Sequence, residues 1–535
     1  MVEMPEEETV FVRRASGLVR EIGPFAAFSL LVSLIGVGIN VHATMDAIAY
    51  PGANMPLAFV IAAFPCIITA GNYLMLGVMM PRTGGEYVYV TRSIAPYVGW
   101  LQSWMRFWTL IRLGVLASFT AVFWGQVLWL YGSITNNASY LEMASWLQGF
   151  EGMLTIGVLL VTLFSIIAIL GTKLITMVLS ILVAIPMVTS VIQIVYLAIG
   201  WAGAPAYAVE HFNMVFGEGA WDKVWTVAKE AGYSSAKYGI GASMDSTMLA
   251  AVTGAAMAYA GVEKPIFVGG EIKDPGKVLK MVYIVGTAYV VVYYIFLTSA
   301  VWGAYGEFIS AYLYAWKFAK GELAAALGTA SAPRGILPFF ASILAAPNET
   351  LMLLICATAA LWLTNNLPSI MIIASRHVFA WSFDRFFPEL FSRVNDRFGT
   401  PHWSIALTAV LGYIGALSNA YSWVLAMIAT SVARDLACLL VAMAIALVPY
   451  TRPDIWERGM RLTLLGVPLV TILGFLNTFF YSYWFFTACT AMDSLTVLWY
   501  AIWTSLGTLI FIAFWAYNLR RGIDPKTIYA EIPPV

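Results

Sequence analysis

Charge is what this 535-residue chain has least of: Asp, Glu, Lys and Arg together make up only 11% of it, while 61% is apolar. An ordinary soluble domain is about 25% charged, so a water-soluble globule is excluded and lipid is expected as the main solvent. Twenty-nine Lys and Arg balance twenty-nine Asp and Glu. With no basic excess, nothing supports binding of a polyanion, and no nucleic-acid partner is expected. Cysteine is also scarce. Cys66, Cys356, Cys438 and Cys489 lie far apart inside apolar runs, without the CxxC or His spacing of a metal site, and read as small core residues. No cofactor and no metal are expected.

What is abundant is long apolar runs. A hydrocarbon core about 30 Å thick takes roughly 20 helical residues to cross. Twelve such runs are read, at residues 24–49, 56–80, 97–130, 154–171, 174–200, 247–270, 278–302, 351–375, 403–420, 423–449, 462–485 and 495–517. Residues 1–23 form a polar tail, acidic at Glu3 to Glu8 and basic at Arg13, Arg14 and Arg20. This tail is not a cleavable signal, because the run that follows is too long and lacks a small-residue cleavage site.

If that tail is cytosolic, most Lys and Arg between spans fall on the cytosolic side. Only Lys223, Lys229, Lys237, Lys317, Lys320 and Arg334 fall outside. This bias predicts a multi-pass protein with both termini in the cytosol. The long outer loops 201–246 and 303–350 are aromatic and partly amphipathic, and are expected as short helices on the outer rim. Asn137-Ala138-Ser139 and Asn348-Glu349-Thr350 fit the N-glycosylation pattern on that side, as chance matches more often than used sites.

Two spans contain residues that do not suit a helix in lipid. Span one carries Gly36-Val37-Gly38-Ile39-Asn40 near its middle, and each glycine costs about 1 kcal/mol in a helix interior. Span six carries Ala258-Tyr259-Ala260-Gly261-Val262-Glu263-Lys264-Pro265, where proline removes a donor and disfavours helix at the residue before it. Close helix packing is the plain alternative for Gly36 and Gly38. The two interruptions nevertheless fall at matching places if spans one to five and six to ten are repeats. Five is odd, so such repeats are inverted, and paired broken helices in inverted repeats point to a transporter site at the midplane. Exposed amides there favour a carboxylate and freed carbonyls an ammonium or cation, which suits a zwitterion.

Further motifs follow in order. Pro81-Arg82-Thr83-Gly84-Gly85-Glu86-Tyr87-Val88-Tyr89 runs on to Arg92 and Pro96, Glu271-Ile272-Lys273-Asp274-Pro275 follows span six, and Arg376 leads through Asp384, Arg385 and Pro388 to Phe398-Gly399-Thr400-Pro401. With Gly36 to Ile39 and Ala258 to Glu263, these motifs resemble those of the amino acid, polyamine and organocation permease superfamily over roughly Gly17 to Pro449. The resemblance implies an all-α membrane fold of 12 transmembrane helices. Two inverted five-helix repeats (LeuT-like), residues 24–200 and 247–449, would be joined by two extra helices, residues 450–519, and a cytosolic tail, 520–535, with helices 1 and 6 broken. It implies a secondary active transporter of amino acids or related amines in the plasma membrane, working by alternating access as symporter or exchanger. By the same resemblance Gly36, Val37, Gly38 and Ile39 would hold the substrate carboxylate and Ala258, Tyr259, Ala260 and Gly261 its amino group, with Tyr259 a gate. Asn40-Val41-His42 departs from the usual pattern, so the carboxylate register is left open at Asn40.

Charges within spans must face the protein interior. Arg106 and Arg112 lie in span three, Arg434 and Asp435 in span ten. The resemblance puts both helices near the substrate site, so Asp435 is expected to pair with Arg112 or Arg106, the alternative being that an arginine reads an acidic substrate side chain. His42 and Asp46 share a helix face at i, i+4, as a solvated helix end or a proton relay. Glu263 is the better candidate for a protonation-linked gate, or else caps the inner half-helix. Proton-coupled relatives often carry a lysine near the position of Pro186, but residues 174–200 contain none. Exchange, sodium coupling or proton entry through Glu263 remain. In the resembled architecture sodium would need carbonyls of span one plus oxygens of span eight, which offers Thr364, Asn365, Asn366 and Ser369. A membrane-embedded acyl-transfer enzyme built on His42 and Asp46 lacks a companion nucleophile. A channel lacks charged rings.

Overall fold

In a computed structural model, residues 11–12, 15–135, 137–421, 431–490 and 492–534 are described. Among them, eleven helical segments are long and apolar enough to cross a membrane. The protein is a multi-span, all-α membrane protein. In chain order the helices are α1 (Pro24–Ala49), α2 (Met55–Met79), α3 (Glu86–Ser93), α4 (Pro96–Thr135), α5 (Ala138–Gln148), α6 (Phe150–Ile169) and α7 (Thr172–Ala202). The short α8 (Ala206–Phe216), α9 (Ala220–Glu230) and α10 (Ser235–Tyr238) follow, then α11 (Met244–Ala250), α12 (Ala256–Ala258) and α13 (Pro275–Tyr305). Next come α14 (Phe308–Phe318), α15 (Lys320–Ala326), α16 (Leu337–Ile343), α17 (Glu349–Thr364), α18 (Asn366–Phe383) and α19 (His402–Ala420). The chain closes with helices Ser431–Thr451, Leu469–Thr490, Ser494–Arg520 and a short Pro525–Ala530. The first part of expected span ten, residues 423–430, lies outside the described residues.

Burial sorts these helices into centre and rim. In the most apolar stretch of α2, 72% of residues are buried inside the protein, against 11% for Ser494–Arg520. The latter therefore shows Leu498, Leu509 and Ile512 outward, as lipid tails require. Most boundaries agree with the apolar runs. α4 is longer than its run because 40 residues at 1.5 Å each give about 60 Å, more than the bilayer needs. Span eleven starts at Leu469 rather than Leu462, because Leu465 and Gly466, both at positive φ, turn a two-residue hairpin before it. Residues of the two long loops fold into short helices that stack on one another, with Trp221 flat against Phe308 at 3.5 Å between ring centroids.

Both chain ends meet on one face. Phe11 stacks on Phe383, Arg385 Nη2 donates to the Phe11 carbonyl at 2.8 Å, and Tyr529 lies against Phe386. The two loops lie at the other end of α1, where the Ser243 amide donates to the Gly52 carbonyl and Thr44 to the Gly335 carbonyl.

Two spans depart from regular helix. Residues 247–270 form no continuous helix: α11 leads into a π-helical turn at Ala251–Ala255, then α12, a turn, and 3-10 turns at Lys264–Phe267 and Gly269–Glu271. Gly261 sits at φ +123°, open to glycine and strained for other residues. The eighth span is divided at Asn365 between α17 and α18. Pro368 has no N–H to return to the Thr364 carbonyl one turn back, so the ladder is interrupted there.

Candidate functional site

The interrupted span six leaves backbone groups without helical partners, and side chains take them up. Tyr294 of α13 donates its hydroxyl to the Ala258 carbonyl at 3.0 Å. The Gly261 amide donates to Glu263 Oε2 at 3.0 Å, two residues on. Tyr259 swings away and donates to the Phe59 carbonyl of α2 at 3.2 Å. A buried unpaired amide or carbonyl costs about 1–3 kcal/mol, so each of these hydrogen bonds holds the turn in place.

Helix α1 corrects the expectation of a break at Gly36 to Asn40. It runs from Pro24 to Ala49 as one α-helix, and Asn40 Nδ2 donates to the Gly36 carbonyl at 2.7 Å within it. The glycines serve close approach instead. A Cβ on Gly36 would lie 2.0 Å from the Trp362 ring, and one on Gly38 would lie 2.5 Å from Ala258 Cα. Close packing against Trp362 and α12 outweighs the modest cost of glycine in a helix. Val37 and Ile39 are helical and Ile39 is buried, while the Val37 side chain lies outside the described residues. α1 and α12 thus touch directly. The hollow beside span six, lined by Ala256, Tyr259, Ala260, Glu263, Arg434 and Cys438, measures about 20 Å³, room for one water. An amino acid does not fit there in this conformation.

The intramembrane charges pair differently from the expectation. Asp435 takes its neighbour Arg434, Nε to Oδ1 at 2.9 Å, because adjacent side chains reach each other without crossing to α4. Arg106 instead bridges two carboxylates, Glu86 at 3.3 Å and Glu263. Glu86 is buried at the start of α3 and also accepts from Tyr73 at 2.6 Å and Gln102 at 3.0 Å. A single arginine therefore joins α4, α3 and the turn of span six. His42 Nδ1 lies 3.0 Å from Asp46 Oδ1 on α1. Asp46 presses on Gly254 of the π-helical turn, where a Cβ would come within 1.6 Å of its Oδ2.

The oxygens expected for sodium divide among different partners. Thr364 Oγ1 donates to the Ala360 carbonyl and accepts from Trp124 at 3.3 Å. Asn365 Nδ2 donates to the Leu182 carbonyl at 3.4 Å. Asn366 Oδ1 accepts from Lys264 Nζ at 3.0 Å, and the same ammonium donates to Ser33 of α1 at 3.0 Å. Asn365 Oδ1 and Ser369 Oγ are buried with no hydrogen-bond partner among the described residues. The lysine just past the break thus ties span six to α1 and α18.

The face with both chain ends carries two buried ion pairs. Arg376 holds Glu271 bidentately, Nε to Oε1 at 3.0 Å and Nη2 to Oε2 at 2.6 Å, with Thr172 joining both. Arg92 reaches Asp384 at 2.6 Å. The Pro81–Glu86 motif supplies the turn between them. Gly84 and Gly85, both at positive φ, lie against Ala380 and Ile266, and the Gly84 amide donates to the Phe267 carbonyl.

The pattern of the amino acid permease family matches residues 22–514. The chain belongs to the amino acid permease family. No curated protein matches it. The membership makes it a transporter of amino acids in general terms and points to transport rather than catalysis.

In this permease the residues that sequence reasoning passed over are Glu86, Arg92, Lys264, Glu271, Arg376 and Asp384. Five of them stand in the family-like motifs and Lys264 just past one, and their signal was charge in otherwise apolar surroundings. The permease also folds its C-terminal segment back onto the face of the chain ends. Arg92 Nε donates to the Glu531 carbonyl, Arg452 Nη2 to Ala530 and Arg82 Nε to Pro533. Tyr529 is buried beside Tyr87, hydroxyls 3.2 Å apart.

Proposed function

We propose that the permease is a secondary active transporter that moves amino acids across the plasma membrane by alternating access, with both termini cytosolic and two inverted five-helix repeats. The observation that carries this is the turn at Tyr259 to Glu263. Two backbone groups at this turn are satisfied by movable side chains, Tyr294 on the Ala258 carbonyl and Glu263 on the Gly261 amide. A substrate ammonium takes the place of the Tyr294 hydroxyl, and movement of the Glu263 carboxylate away from Gly261 frees the amide. Gly36 to Ile39 then act as a tightly packed wall whose separation from Ala258 opens the carboxylate side. The arrangement described has the face of the chain ends shut by Arg92–Asp384 and Arg376–Glu271.

For coupling, the ammonium of Lys264 stands between α1 and α18, where a sodium ion would need Asn366. Two cations in one buried site repel, so we read transport as exchange or proton-coupled through Glu263. The test is uptake and counterflow in sealed proteoliposomes, scanned over the amino acids with imposed proton and sodium gradients. Counterflow of a labelled amino acid without a sodium requirement supports carriage. Transport without saturation or counterflow rejects it.

A further inference from the structure

A second cavity, of about 720 Å³, opens on the face opposite the chain ends, between α4, α5, the segment after α15 and α17. Its volume lies within the range of sites for small ligands. Phe123 and Ala359 line it. They stand 12 residues from the end of α4 and 10 from the start of α17. At 1.5 Å per residue the cavity reaches about 15–18 Å along these helices from those ends. Its floor at Ala359 is three residues from Trp362, which packs on Gly36.

The charge of the lining has one sign. Lys320 and Arg334 line the cavity, and no Asp or Glu does among the described residues. Neither cation has a carboxylate within ion-pair distance among those residues. Lys320 rests its ammonium 5.5 Å from the Trp316 ring, and the Trp316 indole N–H is buried with no hydrogen-bond partner among the described residues. Gln126 and Gln148 add side-chain amides. Glu142 and Glu322, on α5 and α15, are exposed and do not line the cavity. Low-dielectric walls around two cations focus a positive potential that concentrates anions and repels cations.

We infer that this cavity is the entry vestibule and that it selects amino acids of net negative charge, the dicarboxylic ones, through Lys320 and Arg334. This rests on the carrier reading above and narrows its substrate class. The vestibule raises capture of the substrate from the outer face, and leaves the chemistry of the span-six turn unchanged.

The test is initial-rate uptake of L-glutamate, L-leucine and L-lysine by the full-length protein in proteoliposomes, for the wild type, Lys320→Gln/Arg334→Gln and the conservative Lys320→Arg/Arg334→Lys. Both side chains are exposed, so the fold should be retained. Glutamate is expected to be preferred over lysine by the wild type. The glutamine pair is expected to raise the KM for glutamate about tenfold, the low end of electrostatic steering, with little change in kcat, and the conservative pair to restore it. Raised ionic strength should shrink the difference. Equal handling of lysine and glutamate, or an unchanged glutamate KM in the glutamine pair, overturns the inference while carriage of the other amino acids leaves the transporter reading standing. Movement of none of the amino acids overturns both.

Discussion

Lys264 Nζ lies 3.0 Å from Asn366 Oδ1 and ties the interrupted sixth span to the start of α18. The lysine is buried, and its Nζ donates to both Asn366 and Ser33. Replacing Lys264 by Met removes a cation around which the site is arranged. Transport by Lys264→Met should fall at least tenfold, and sodium in place of potassium should not change wild-type rates. A wild-type rate that rises with a sodium gradient would contradict this placement.

Gly36 has no room for a side chain against Trp362. Overpacking a close contact costs typically about 1–3 kcal/mol, so Gly36→Ala should lower the melting temperature in detergent by several degrees. A glycine that instead opened the helix for substrate would leave the melting temperature untouched and weaken only binding. Thermal unfolding of the variant, with and without substrate, separates the two.

How much of this was readable beforehand differs between the two spans. In span six, Pro265 and the charges Glu263 and Lys264 are local obstacles to helix, so their effect is visible without the fold. In span one the signal was only glycine, and glycine marks either an opening or a close neighbour. Trp362 stands more than 300 residues away in sequence, and nothing local reveals it. The same holds for the ion pairs. Arg106 was recognisable as a buried charge, yet its partners Glu86 and Glu263 come from α3 and span six, whereas Asp435 is satisfied by the residue beside it.

Arg92 and Asp384 form a buried ion pair on the face of the chain ends. Removing one member of a buried pair leaves the other uncompensated and costs about 3–5 kcal/mol. Asp384→Asn should therefore shift the permease toward a state open on that face. Thiol labelling checks this: Cys66 and Cys438, buried beside Tyr259 and Glu263, should react faster with a membrane-permeant maleimide in the variant than in the wild type. Equal rates would show that the pair is not part of the closure.

The C-terminal segment adds to the same closure. Arg452, which donates to the Ala530 carbonyl, is held by Asp454 at 2.8 and 2.9 Å, and that hydrogen bonding keeps the Asp454 carboxyl below its ordinary pKa. A depressed carboxylate contributes stability above its unfolded-state pKa and loses it as pH falls through the folded value. Docking of the tail should thus persist through mildly acidic pH and loosen only below the usual Asp range. Proteolysis of the last ten residues, followed from pH 7 down to pH 3, should be slow until the acid end. Deleting residues 525–535 should lower thermal stability, because Arg82, Arg92 and Arg452 lose their carbonyl acceptors.

The most direct measurement is an electron cryomicroscopy structure of the full-length permease in lipid nanodiscs, saturated with a transported amino acid. If the turn of span six holds the substrate, the ligand ammonium will lie at the Ala258 carbonyl with the Tyr294 hydroxyl displaced, and Gly38 will have moved away from Ala258. A ligand bound elsewhere, with the Tyr294 to Ala258 and Gly261 to Glu263 hydrogen bonds both intact, would contradict it.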